Sequence, residues 1–469
     1  MSPKYDLILK GGTVVLPDGC KETDIAVKDG VITAIGTIPD TDAGQVYEAA
    51  GLTVMPGAID IHVHFNEPGL GSWEGFATGS ASLAAGGVTT YVDMPLNGVP
   101  PTVSAKAFDL KLQHAESSSY VDYALWGGLV PGNKDELAGL AARGAVGFKA
   151  FMSEPGGEGE DIFTRADDLT LLEGMREIAG LGGLLALHAE SDAITQEMAA
   201  RLRSQDSIDM RAYLASRPVI AEVEAVNRAL LYARQTGCAL HFVHISSVQA
   251  LELIDAAKAE GLDVTAETCP HYLSLTDEDA VRIGAVAKCA PPLRDRDNRE
   301  LMWEAFRRGS IDIIASDHSP CPPEMKLSDN NFEIWGGISG AQSTLNMMIE
   351  EGYIKRGVDL QCIAEATAAT PARRTGLAYR KGSIEVGKDA DFALIDFSSG
   401  FVLQPENLLY RHKQSPYIGY AFSHSIAATF CRGHQVYEHG TGVAQAQGCK
   451  GIFIPGKQSG VYERGTAYA

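Results

Sequence analysis

The chain changes texture twice. Over its first fifty residues, apolar and polar positions alternate in short runs. "YDLILKGGTVVLPDG" (5–19) alternates, turns at Gly11-Gly12, alternates again and turns at Pro17-Asp18-Gly19. "DIAVKDGVITAIG" (24–36) repeats this about Asp29-Gly30, a hairpin signal because Asp-Gly accepts the left-handed backbone of a tight turn. From about 383 the alternation returns in "SIEVGKDADFALID" and "AATFCRGHQVYEHG". Neither end shows a long helical period. Together they predict one small β-sandwich domain assembled from both termini, residues 1–54 and 381–469. The last twenty or so residues, "GCKGIFIP" onward, read as a loosely packed extension.

Between these ends, over 55–380, near-continuous apolar runs alternate with helical segments. The runs fall at 52–64, 87–95, 120–128, 145–152, 184–190, 239–247, 263–273 and 311–320. Segments such as "SAKAFDLKLQHAE", "DELAGLAARG" and "VQALELIDAAKAEG" lie between them. A strand that is apolar on both faces belongs in a parallel sheet covered by helices. Eight of them predict an α/β fold, a TIM-like (β/α)8 barrel.

Such barrels keep their chemistry at the C-terminal ends of the strands. The polar residues gather there. The first run ends in His62 and His64, the fourth carries Lys149, the fifth ends in His188, the sixth in His244 and the eighth in Asp317. Residues i and i+2 of a strand share a side, so His62 and His64 can grip one ion together. His241 competes with His244. Three residues apart, they are expected to face opposite ways, and His244 is nearer the strand end. Asp317 and His318 are likewise expected to diverge, with Asp317 inward. His318 reads as a supporting or a purely structural residue, and so does His271. Lys149 sits in the otherwise apolar "AVGFKAF". It either snorkels or pairs with a carboxylate, or it is a desolvated amine able to take up CO2 as a bridging carbamate.

Composition narrows the rest. Thirty-nine basic against 60 acidic residues give a net charge of −21, which disfavours nucleic acid and anionic membranes as partners. None of the eight cysteines forms a CxxC pair, and Cys269, Cys289 and Cys321 match no structural zinc spacing, so a reduced cytoplasmic chain is expected. The N-terminal stretch "MSPKYDLILKGG" is not expected to be a secretory signal, and no membrane-length apolar run or GxGxxG after a strand is seen.

These motifs resemble the cyclic amidohydrolases, which include allantoinases, hydantoinases or dihydropyrimidinases, and dihydroorotases. "HVHFNEPG", "WEGFATGSASLAAGGVTTYVDMPLNGVPPT", "GFKAFM", "LASRPVIAEVEAV" and "SDHSPC" are most similar to the allantoinase branch. Asn66 replaces the arginine with which dihydroorotases bind a substrate carboxylate, and Glu154 replaces a hydantoinase tyrosine. Leu70 departs from the branch, which has arginine after "EPG". The resemblance implies hydrolysis of allantoin to allantoate at two divalent metals, zinc or else cobalt, manganese or iron, bridged by hydroxide and by N6-carboxylated Lys149. His62, His64 and Asp317 would hold one metal, and His188 and His244 the other. Asp317 would also be the catalytic acid–base. Asn97, Ala290, Arg217 and Trp335 would contact the substrate, and the assembly would be a homotetramer. Hydantoinase activity is the alternative, and behind it dihydroorotase activity or a non-catalytic scaffold.

Overall fold

The computed structural model describes residues 3–116, 118–156, 162–443 and 451–457. Eight parallel strand positions close into a barrel. Ala58–Val63, Val88–Asp93 and Asp122–Leu125 form one run. Gly127–Gly128, Phe148–Phe151, Leu184–His188, Ala239–Phe242, Val264–Thr268 and Ile313–Ile314 form the other. The third strand belongs to both, breaking at Trp126 between its two partners. The last strand meets the first through a Val63–His318 bridge, with His64 N–H donating to His318 O at 2.8 Å.

Helices cover the barrel by burying a stripe of small and branched residues. Val219–Thr236 turns Ala225, Val226, Ala229, Leu230 and Ala233 inward, the three- and four-residue spacing of one helix face. The helices Asp168–Gly180, Met210–Ser216 and Arg296–Arg307 start where the preceding aspartate accepts a backbone N–H: Asp167 from Thr170, Asp209 from Ala212, Asp295 from Asn298. Each such cap contributes ~1 kcal/mol. Among the described residues no helix is long and apolar enough to cross a membrane.

The terminal strands build a single mixed sheet of nine strands. Its centre is Ser425–Cys431, Phe392–Asp396, Thr53–Pro56 and Tyr5–Leu16, so the C-terminal strands form one half and the N-terminal strands the other, joined where Phe392–Asp396 pairs antiparallel with Thr53–Pro56. Leu7, Leu9, Ile25, Val27, Val54, Phe392, Leu394 and Phe430 share its apolar interior. A buried ionic clasp ties this sheet to the barrel. Lys381 Nζ lies 2.6 Å from Asp122 of the third barrel strand and 2.9 and 2.7 Å from Asp389 and Asp391.

The tail differs from the expected loose extension over residues 451–457. Gly451 N–H donates to Ser119 O, Tyr123 N–H to Ile452 O and Ile454 N–H to Tyr123 O, and Ile454 is fully buried. The segment satisfies backbone groups of the barrel that would otherwise be open. Residues 444–450 and 458–469 lie outside the described residues.

Candidate metal centre

Strand register explains which side chains meet. Lys149 pairs with Ala186, Ala186 with His241, and His241 with Thr265. Neighbours in register share a side of the sheet, so all four point into the barrel, as do His188 and Glu267 two residues further on. His241 therefore faces inward, against the expectation that it would oppose His244. It bonds Thr265 Oγ1 at 2.9 Å and Glu267 Oε2 at 3.1 Å. His244 turns inward as well, because it follows the end of its strand with φ +40°, a left-handed conformation that breaks the alternation. Asp317 (φ +45°) exits its strand in the same way. Non-glycine residues held left-handed cost ~1–3 kcal/mol and concentrate at functional sites. His318 diverges from Asp317 as expected and packs beside Tyr410 and Phe65.

At the mouth, His62, His64 and Asp317 bring one ligand atom each within 4.8 Å of one another. Asp317 Oδ1 lies 3.1 Å from His62 Nε2 and 3.4 Å from His64 Nε2. Beside them His188 Nδ1 meets His244 Nε2 at 2.9 Å. His62 and His244 are ring neighbours, with centroids 5.4 Å apart. All five side chains line one cavity of ≈380 Å³. Lys149, with no solvent exposure and no hydrogen-bond partner for Nζ among the described residues, lies 5.0 Å over the Phe151 ring.

Electrostatics suit cation binding. Burial drives His64 down to about 4, lowers His188 and drives His244 far down, so these rings are neutral and their lone pairs available. Burial pushes the Asp317 carboxyl up, but His62 and His64 outweigh it and hold it at about 2. Burial brings the Lys149 amine down to about 8, against the opposing pull of Glu267 and Asp317.

Two carboxylates missed by sequence reasoning orient the imidazoles. Glu267 Oε1 is 2.7 Å from His62 Nδ1 and accepts from His244 N–H at 3.2 Å. Glu190 Oε2 is 2.9 Å from His188 Nε2 and also pairs with Arg217. Such partners fix the ring orientation and tautomer of a ligand histidine. An acid inside an apolar strand ("VTAET") and one two residues past a strand-end histidine were the available signals.

The remaining expected residues divide. Asn97, Ala290, Arg217 and Trp335 line the cavity, as does Glu154. Leu70 is not among its lining residues. It sits in a turn where its N–H donates to Asn66 O, three residues before Trp73, which packs edge-on against Trp335 at 4.9 Å. His271 is buried, with neither ring nitrogen hydrogen-bonded among the described residues, and stands outside the ligand cluster.

The donor set fits divalent metal. Four imidazoles and a carboxylate gather near a buried amine that has no hydrogen-bond partner among the described residues, the position a bridging anion on that amine would fill.

Residues 53–436 match the Amidohydrolase family. The chain is 52% identical to the allantoinase of Rubrobacter xylanophilus, over 95% of this chain and 97% of that one. It is 52% identical to the allantoinase of Bacillus velezensis, over 93% and 95%. Among solved structures it is similar to the L-hydantoinase (dihydropyrimidinase) of Arthrobacter aurescens, with TM-score 0.92 and 36% identity over 96% of this chain and 100% of that one. The D-hydantoinase of Thermus sp. gives TM-score 0.89 and 26% identity over 97% and 100%. With likeness in sequence and in fold over nearly its whole length, the chain belongs to the amidohydrolase family.

Proposed function

We propose that this chain hydrolyses the hydantoin ring of allantoin to allantoate at a centre of two divalent metals. The observation that carries the reading is the convergence of His62, His64 and Asp317 with His188 and His244 around the unpartnered Lys149 amine. The relatives named allantoinase, about half identical over nearly the full length, support the substrate.

His62, His64 and Asp317 would hold the first metal, and His188 and His244 the second. Lys149, as its carbamate, would supply the anionic ligand they share, because burial favours its neutral amine and CO2 adds to neutral amine. When bound, the metals polarise the ring carbonyl and lower the pKa of water. Asp317 is ionised at neutral pH. Its Oδ2 accepts the proton of the attacking water and returns it to the ring nitrogen as the C–N bond breaks. Asn97, Ala290, Arg217 and Trp335 position the ring in the cavity. Allantoin has no carboxylate, and the uncharged Asn66 is consistent with that.

The test is a ring-opening assay of metal-reconstituted protein on allantoin, hydantoin, dihydrouracil and dihydroorotate. Allantoin is expected to be opened fastest. Preference for hydantoin or dihydrouracil would keep the metal centre and overturn the substrate. Elemental analysis identifies the metals, with zinc expected, and light scattering checks the homotetramer that goes with this reading.

A further inference from the structure

Three cations line the cavity, and they are not equivalent. Arg217 is neutralised by Glu190. Arg203 lies over the Phe332 ring at 5.5 Å and donates to Ala199 O on its own helix. Lys288 is 4% exposed, and among the described residues it has no carboxylate partner. Its Nζ donates to Ile334 O at 2.5 Å and stands 4.4 Å from the centroid of the Tyr213 ring. An ammonium carries three N–H donors. One is taken by Ile334, and the ring face occupies a second direction. The third has no acceptor among the described residues.

Lys326, on the same side of the mouth, makes the contrast. Its ammonium donates to three carbonyls, Ala285 O, Trp335 O and Gly337 O, at 3.0, 2.7 and 2.9 Å. It braces the 323–337 segment with all three donors used, and it is not among the residues lining the cavity. A buried cation that keeps a donor unspent in a cavity wall is costly unless a ligand completes it. Burial, with Lys326 and Arg217 adding like charge, brings Lys288 down to about 7.

Two groups of residues line the cavity. The imidazoles and Asp317 form one cluster. Lys288, Tyr213, Ile334 and Gly336 form another, with a Cβ at Gly336 falling 3.7 Å from Lys288 Cε and 3.8 Å from the Tyr213 hydroxyl. Only the ring amide reacts at the first cluster. The rest of a ureido-bearing hydantoin must be held elsewhere.

We propose that Lys288 is the specificity-determining donor for the exocyclic ureido carbonyl of the substrate, the group that separates a ureido-hydantoin from a plain hydantoin. This rests on the allantoin reading above. A urea oxygen is a strong neutral acceptor and fills the open donor without adding charge to the site. Binding the part of the substrate that does not react lets the cavity select it without touching the scissile bond.

The experiment compares wild type, Lys288→Met, Lys288→Arg and Lys326→Met in the metal-loaded enzyme. Two constants are read: KM for allantoin, and Ki for unsubstituted hydantoin as a competitive inhibitor of allantoin opening. Lys288→Met is expected to raise the KM about 10- to 100-fold while the Ki moves less than about 3-fold, the size of one hydrogen bond to a charged group. Lys288→Arg should recover part of the loss. Lys326→Met, which loosens the segment as a whole, should move both constants together. If Lys288→Met moves both by the same factor, or neither, the inference is overturned and Lys288 is a second brace for residue 334. A wild-type enzyme that leaves allantoin unopened overturns the allantoin reading itself, before any variant is made.

Discussion

Lys149 and Lys381 are both buried lysines in one molecule, and their surroundings are opposite. Lys381 stands among Asp122, Asp389 and Asp391, all within 2.9 Å. Burial would lower it, but the three carboxylates outweigh that and raise it well above its ordinary value. It is a fixed cation that joins the terminal sheet to the barrel. Lys149 has no ion-pair partner among the described residues, and burial alone dominates. On the proposed function, that amine carries the carbamate. Burial does not decide what a lysine does. The carboxylates supplied with it do.

The largest effect is expected where Lys149 is removed. Lys149→Ala should abolish turnover and bring metal content, read by elemental analysis, from two ions per chain toward none. The barrel should still fold, with unchanged far-UV circular dichroism, because deleting an unpaired buried amine relieves a desolvation cost. Retained metal and turnover would end the bridging role. The structural lysine should behave in the reverse way. Lys381→Met leaves Asp122, Asp389 and Asp391 packed together without their shared cation, although Arg432 still reaches Asp122 at 3.1 Å. Removing one partner of a buried pair costs ~3–5 kcal/mol, read as a lowered denaturation midpoint. Metal content per folded chain should hold at two. A Lys381→Met protein as stable as wild type would erase the contrast.

Half of this comparison was legible in the sequence. Lys149 stands out because it interrupts an apolar strand, and His62, His64, His188, His244 and Asp317 stand out because each is polar at a strand end. Alternation also exposed the two halves of the terminal sheet. Lys381 was not legible, since Asp122 is 259 residues away and only the folded chain brings it near. Residues 451–457 failed for the same reason, their partners being Ser119, Tyr123 and Gly144. His241 was misread because the alternation rule assumes an unbroken strand, and the left-handed turn at His244 breaks it. Glu267 and Glu190 were passed over because a single carboxylate carries no motif. Its meaning lies in which imidazole nitrogen it reaches.

Glu267 gives the smallest and most discriminating effect. It lies between the two kinds of lysine environment: a buried carboxylate whose partners are His62 and His241 rather than a fixed cation. Burial would raise it, yet those two rings hold it far below the usual carboxylate range, so it keeps its charge inside the barrel. That charge orients His62 through Nδ1 and leaves Nε2 to face Asp317. Glu267→Gln keeps the shape and removes the charge. The loss expected for such a supporting partner is about 10- to 100-fold in metal affinity, read by competition with a chelator. Saturating metal should restore most of the turnover, since no atom of Glu267 touches the cavity. If turnover stays low at full occupancy, Glu267 shapes the reaction itself, and the negative charge beneath His62 belongs to the chemistry rather than to its scaffold.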